Sequence, residues 1–203
     1  MLKEEFLRII QPYAGEINAV ALWKEIATSY TRNQRHYHNL AHLDHLYEQL
    51  LLVKDKILDW EVIVLSTCYH DIVYNIRSKH NEEKSALFAA TKLAAIQFPS
   101  DRSALCVQQI IATKQHLHSE NSDTNYFIDA DLSILGTSTN NYLNYTIAIR
   151  KEYTFYPDLL YKPGRKNVLQ HFLQMDRIFK TPEFFSLYEQ QARLNLQSEL
   201  EQL

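Results

Sequence analysis

"DWEVIVLSTCYHDIVYN", residues 59–75, carries apolar side chains around the whole circumference of a helix. A helix with no wet face belongs at the centre of a bundle, packed on all sides. A strand would account for "VIVL" alone, but the run is too long for one, and Asp59 is a suitable N-cap. The reading is a central, buried helix with other helices around it. "NLAHLDHLYEQLLLV", residues 39–53, places Leu40, Leu43, Leu46, Tyr47, Leu50 and Leu51 at three- and four-residue spacings. "PEFFSLYEQQARLNLQSEL", residues 182–200, repeats that period, so both segments predict helices with one apolar face.

Further helices are expected over residues 2–10, 16–30, 81–97, 101–115, 138–155 and 165–178. The breaks between them fall at sequences such as "QFPSD", "LHSENSDTN" and "YKPG". A short helix in "FIDADLSILG" should end at Gly136. Only three glycines occur in 203 residues, too few for the tight turns of a β-rich fold or for a Gly-rich phosphate loop. With 46% apolar residues the chain can bury a substantial core. The expected architecture is all-α, a single helical bundle domain over residues 1–203.

A formal charge of −3 gives no basic footprint, so no specific nucleic-acid binding is expected and a small-molecule partner fits better. The N-terminal segment mixes acids with its apolar residues, and no later run approaches the roughly 18 apolar residues of a membrane span. A soluble, cytoplasmic chain without a membrane partner is expected. Cys68 and Cys106 lie far apart within apolar helical patterns, which suggests small buried hydrophobes rather than a disulfide or a thiolate metal site.

Three segments carry chemistry. "RHYHNLAHLDHL", residues 35–46, holds four of the nine histidines. His38 and His42, four apart, share one face if the helix is continuous; if Asn39 is the N-cap, His38 precedes the first turn and leans over the same spot. His70 and Asp71 sit side by side in the buried central segment, where an uncompensated carboxylate would cost several kcal/mol. A capping or ion-pair role would satisfy that carboxylate, and so would a cation. Asp129 and Asp131 stand in the apolar setting of "FIDADLSILG". Imidazoles and carboxylates together form a mixed N/O donor set suited to one divalent first-row ion such as Mn, Fe, Co, Ni or Zn, with Mg less suited. Four protein ligands on an octahedral ion leave two positions for a water and a substrate oxygen.

The order His, His-Asp, Asp on helices of an all-α chain resembles the HD superfamily of metal-dependent phosphohydrolases, named for the dipeptide that His70-Asp71 matches. "YHNLAH" and "ADLS" are similar to segments of cyclic-nucleotide phosphodiesterases. From about residue 28 onward, "RHYHN", "YHDIVY", "NEEKSA", "DADLSILG", "IRKEY", "GRKNVL" and "ARLNL" resemble, in register, a small bacterial group of predicted HD phosphohydrolases. The resemblance implies an HD-type bundle with His42, His70, Asp71 and Asp131 as metal ligands. It places His38 as the acid that protonates the leaving oxygen, a task that an imidazole suits near neutral pH. Asp129 is then expected to support the ligands from behind.

Around these residues, Asn81 can cap the next helix with Glu82 and Glu83 in its first turn, or Glu83 can orient the attacking water as a base. His116 and His118 could complete a second metal site. Arg35 and Lys114 are the cations nearest in sequence, and Arg150, Lys162 and Arg165 could fold over a phosphate; as surface charges each has an ordinary alternative. His36 and His45 are expected to be neighbours only. The C-terminal helix could pack on its own chain or form a homodimer. These features predict hydrolysis of a phosphate ester or phosphoanhydride, of a nucleotide or a related small phosphorylated metabolite. The alternatives are a non-catalytic metal and nucleotide sensor, or a di-iron oxygenase using His116 and His118.

Overall fold

The computed structural model describes residues 1–203, and its regular elements are nine α-helices with no strand. They are α1 (Leu2–Tyr30), α2 (Leu40–Leu51), α3 (Trp60–Tyr69), α4 (Asn81–Ala95), α5 (Ser100–Ala112), α6 (Ser122–Leu132), α7 (Thr139–Glu152), α8 (Asp158–Leu173) and α9 (Pro182–Gln202). The all-α expectation holds. The chain divides into two compact units, residues 1–128 and 129–203. No linker marks the division, because it falls within the continuous helix α6.

In the first unit α3 is the hub, packed against α1, α2, α4 and α5. Val62 to Tyr69 are all buried. Val62, Ile63, Val64 and Leu65 are fully so, each contributing roughly 1.5–3 kcal/mol of hydrophobic stabilisation. Asp59 caps α3 by accepting the Val62 N–H at 3.1 Å, and Arg102 of α5 grips the same carboxylate at 2.7 and 2.5 Å. Burial works against that carboxylate, yet the guanidinium and the cap bond hold its pKa below the usual value. Cys68 and Cys106 are buried free thiols; burial pushes Cys106 up to about 12, which makes it inert.

The central helix ends earlier than its apolar pattern suggests. It stops at Tyr69 with His70 as its C-cap, rather than running to residue 75. The next backbone N–H groups find side-chain acceptors from elsewhere in the unit: Asp71 N donates to the Tyr30 hydroxyl at 3.0 Å and Val73 N to Ser85 Oγ at 3.1 Å. With those donors satisfied, the chain can leave the helix at no hydrogen-bonding cost.

The helices expected over 2–10 and 16–30 are two arms of α1, broken at Gly15 with φ 74° and ψ 163°. That backbone region is open essentially to glycine alone. Space is no obstacle, since a Cβ there would meet nothing within 4 Å. Gly15→Ala is therefore expected to destabilise the protein by about 1–3 kcal/mol through backbone strain, read as a lower thermal midpoint; an unchanged midpoint would show that the bend is not required.

In the second unit α9 packs against α8 and against a short 3-10 turn, Ser133–Gly136, which also meets α7. Helix α8 begins at Asp158, not 165, and takes "YKPG" inside itself. Pro163 removes only one backbone donor from the helix, while Pro157 and Asp158 provide a good start. It ends at Leu173, not 178, where Arg193 of α9 gathers the carbonyls of Leu173, Met175 and Asp176 at 3.2, 2.8 and 3.0 Å. Likewise α6 begins at Ser122, inside the expected "LHSENSDTN" break. Asn121 Oδ1 accepts the Thr124 N–H at 2.9 Å there, and buried Asp123 accepts the N–H groups of Leu58 and Asp59 at 2.9 and 2.7 Å.

Candidate metal centre

Asn39 is the N-cap of α2, its Oδ1 accepting the N–H groups of Ala41 at 2.9 Å and His42 at 3.3 Å. This settles the two readings of the histidine-rich stretch: His38 stands before the helix and His42 in its first turn. His42 is 4% exposed. His70, 1% exposed, closes α3. Its Nδ1 lies 2.9 Å from the Thr67 carbonyl. A carbonyl can only accept, so Nδ1 carries the proton and the Nε2 lone pair of the neutral ring faces outward.

That Nε2 lies 3.1 Å from Nε2 of His42. Two nitrogens each about 2.0–2.1 Å from one ion would sit at this separation with an angle somewhat above a right angle. The Phe127 ring of α6 packs edge-on to His70, with centroids 5.9 Å apart. Asp131 follows one turn later on the same helix face. One ligand atom each from His42, His70 and Asp131 lie within 4.8 Å of one another. This group could hold a metal ion.

Asp71 lies at the edge of this group, Oδ2 being 3.2 Å from His70 Nε2 and 3.9 Å from His38 Nε2. The two histidines of the metal group are buried, while His38 and Asp71 are partly open. Asp131, the third member of the group, is half-buried. The rings of Tyr37 and Tyr74 flank His38, at centroid distances of 5.0 and 4.3 Å.

The other expected residues have different work. Arg35, expected to meet substrate, is buried and donates to the carbonyls of His38, Asp71 and Ile72 at 3.0, 2.7 and 2.9 Å. Lys114 pairs with Glu83 in a short contact and with the Lys79 carbonyl at 3.0 Å. The ammonium beside Glu83 holds that carboxyl below its usual range. Asn81 is not a cap: its side chain closes the 75–81 loop by bonding both N and O of Asn75, at 3.1 and 3.0 Å. Arg150 is held by Asp158 and the carbonyls of Tyr153 and Tyr156. Arg165, 7% exposed, forks onto Glu199 at 2.7 and 2.8 Å within the second unit. Lys162 lines a groove of about 330 Å³ with Arg150 and Tyr161.

His116 and His118 follow α5 and lie outside the metal group, and His116 sits at φ 52°. His36 is exposed and His45 half-buried. Asp129 is fully buried and ties down the start of α9: it accepts the N–H of Lys180 at 2.8 and 2.9 Å and the N–H and hydroxyl of Thr181 at 2.7 Å. Burial pushes its pKa up to about 6 even so.

The residues that sequence reasoning missed are Thr67, Phe127 and Tyr30. Thr67 acts through its carbonyl, which no residue type announces, and the other two act through contacts distant in sequence. No helix is long and apolar enough to cross a membrane. Compared with family models, curated proteins and solved structures, the chain shows no match.

Proposed function

We propose that this protein is a metal-dependent phosphohydrolase. It would act on a phosphate ester or phosphoanhydride, of a nucleotide or a related small phosphorylated metabolite. The observation that carries the reading is the convergence of His42 Nε2 and His70 Nε2 with Asp131, beside an Asp71 carboxylate that lies between His70 and His38. His42, His70 and Asp131 would hold one divalent cation, with Asp71 beside it. A bound cation supplies Lewis acidity toward a phosphoryl oxygen and acidifies a water. Asp71, beside that cation, would orient the water. His38, partly open, donates a proton to the leaving oxygen. The Thr67 carbonyl fixes His70, so the metal-facing lone pair is set before substrate arrives.

The test is phosphate release from a panel of nucleotides and sugar phosphates with Mn, Co, Ni or Mg, comparing wild type with Asp71→Ala. Wild-type turnover with a variant slower by roughly 10²–10⁴-fold is expected. Equal rates in the two proteins would sink the proposal.

A further inference from the structure

Asp71 lies just beyond the end of α3, and two side chains bond its own N–H and carbonyl. Its N–H donates to the Tyr30 hydroxyl at 3.0 Å, and its carbonyl accepts from Arg35 Nη1 at 2.7 Å. The same guanidinium reaches the Ile72 carbonyl at 2.9 Å and the His38 carbonyl at 3.0 Å. It stands over the Tyr30 ring, 4.7 Å from the centroid, and 5.4 Å from that of Tyr74. Tyr30 is fully buried at the end of α1, and Arg35 is 7% exposed.

Resting on the metal-site reading above, we propose that Tyr30 and Arg35 form a cradle that positions Asp71 and His38, the two partly open groups beside the site. Neither cradle residue touches substrate; both act through backbone atoms. A guanidinium is required because its rigid fork reaches three carbonyls from one plane, whereas a lysine ammonium is a compact donor on a flexible stem. The cradle also explains why a cation adjacent to a phosphate-type site is turned away from it. Its charge is spent on the carbonyls that aim the acid and the carboxylate.

The experiment compares wild type with Arg35→Lys and Tyr30→Phe in two assays: Mn or Ni titration by calorimetry, and turnover with kcat and KM separated. Arg35→Lys is expected to leave metal affinity within a few-fold, because neither Asp71 nor His38 belongs to the three-residue group, and to lower kcat by roughly 10–100-fold with KM little changed. Tyr30→Phe keeps the ring under Arg35 and removes only the acceptor of the Asp71 N–H, so a smaller fall in kcat is expected. It decides the matter if Arg35→Lys does not fold. Wild-type kcat in the folded variants would overturn the cradle alone. A wild-type protein that binds no metal would overturn the site reading and the cradle with it.

Discussion

His42→Ala is expected to lose the metal, and His38→Ala to keep it while losing turnover. His42 contributes one of the two facing Nε2 atoms, and the buried pocket left by its removal offers no replacement nitrogen in the group. Affinity for Ni or Mn should fall by on the order of 10³-fold, equivalent to about 4 kcal/mol. His38 lies outside the three-residue group, with its Nε2 3.9 Å from Asp71 Oδ2 and its ring 5.8 Å from that of His42. Its loss should leave metal affinity within a few-fold and lower phosphate release by roughly 10²–10⁴-fold, the range for a missing general acid. Parallel titration calorimetry and phosphate release separate the two roles. If both variants lose metal equally, His38 is a ligand and the proton-donor assignment is wrong.

The largest expected effect on stability is at Gly136, within the second unit. A Cβ on that residue would stand 2.5 Å from the Tyr188 Cβ and carbonyl oxygen and 2.8 Å from its Cα. Two of these are backbone atoms of α9, which cannot swing aside like a flexible side chain. Asn195 of α9 locks the approach by donating to the carbonyls of Leu135 and Thr137 on either side of the glycine, both at 2.9 Å. Gly136→Ala must therefore push the turn off the helix and weaken those bonds. A cost of about 3 kcal/mol or more is expected, at the upper end for overpacking, which corresponds to a thermal midpoint lower by roughly 6–12 °C. A midpoint within a degree or two of wild type would mean that the turn and α9 part easily.

Which parts were legible in the sequence follows from where each instruction lies. Helix α3 could be read because its apolar residues are contiguous, and α2 because Asn39 caps it locally. The end of α3 could not, because it is set by Tyr30 and Ser85, distant in sequence. Gly136 ends the helical run of "FIDADLSILG" as its sequence suggests, but its close approach to Tyr188, a contact 52 residues away, has no local signal. The donor residues of the metal group are visible as residue types in three segments. Their order suggested that they meet, and the packing of Phe127 on His70 brings the third segment in. For the cations, charge and proximity suggest phosphate binding, and the sequence does not announce the partners they have, the carbonyls bonded by Arg35 and the Glu199 carboxylate bonded by Arg165.

The most direct measurement is a crystal structure of the protein grown with Mn or Ni, with anomalous scattering recorded at the metal edge. The account predicts one strong peak about 2.0–2.2 Å from His42 Nε2, His70 Nε2 and a carboxylate oxygen of Asp131. A clear anomalous map with no peak among these three side chains would contradict it.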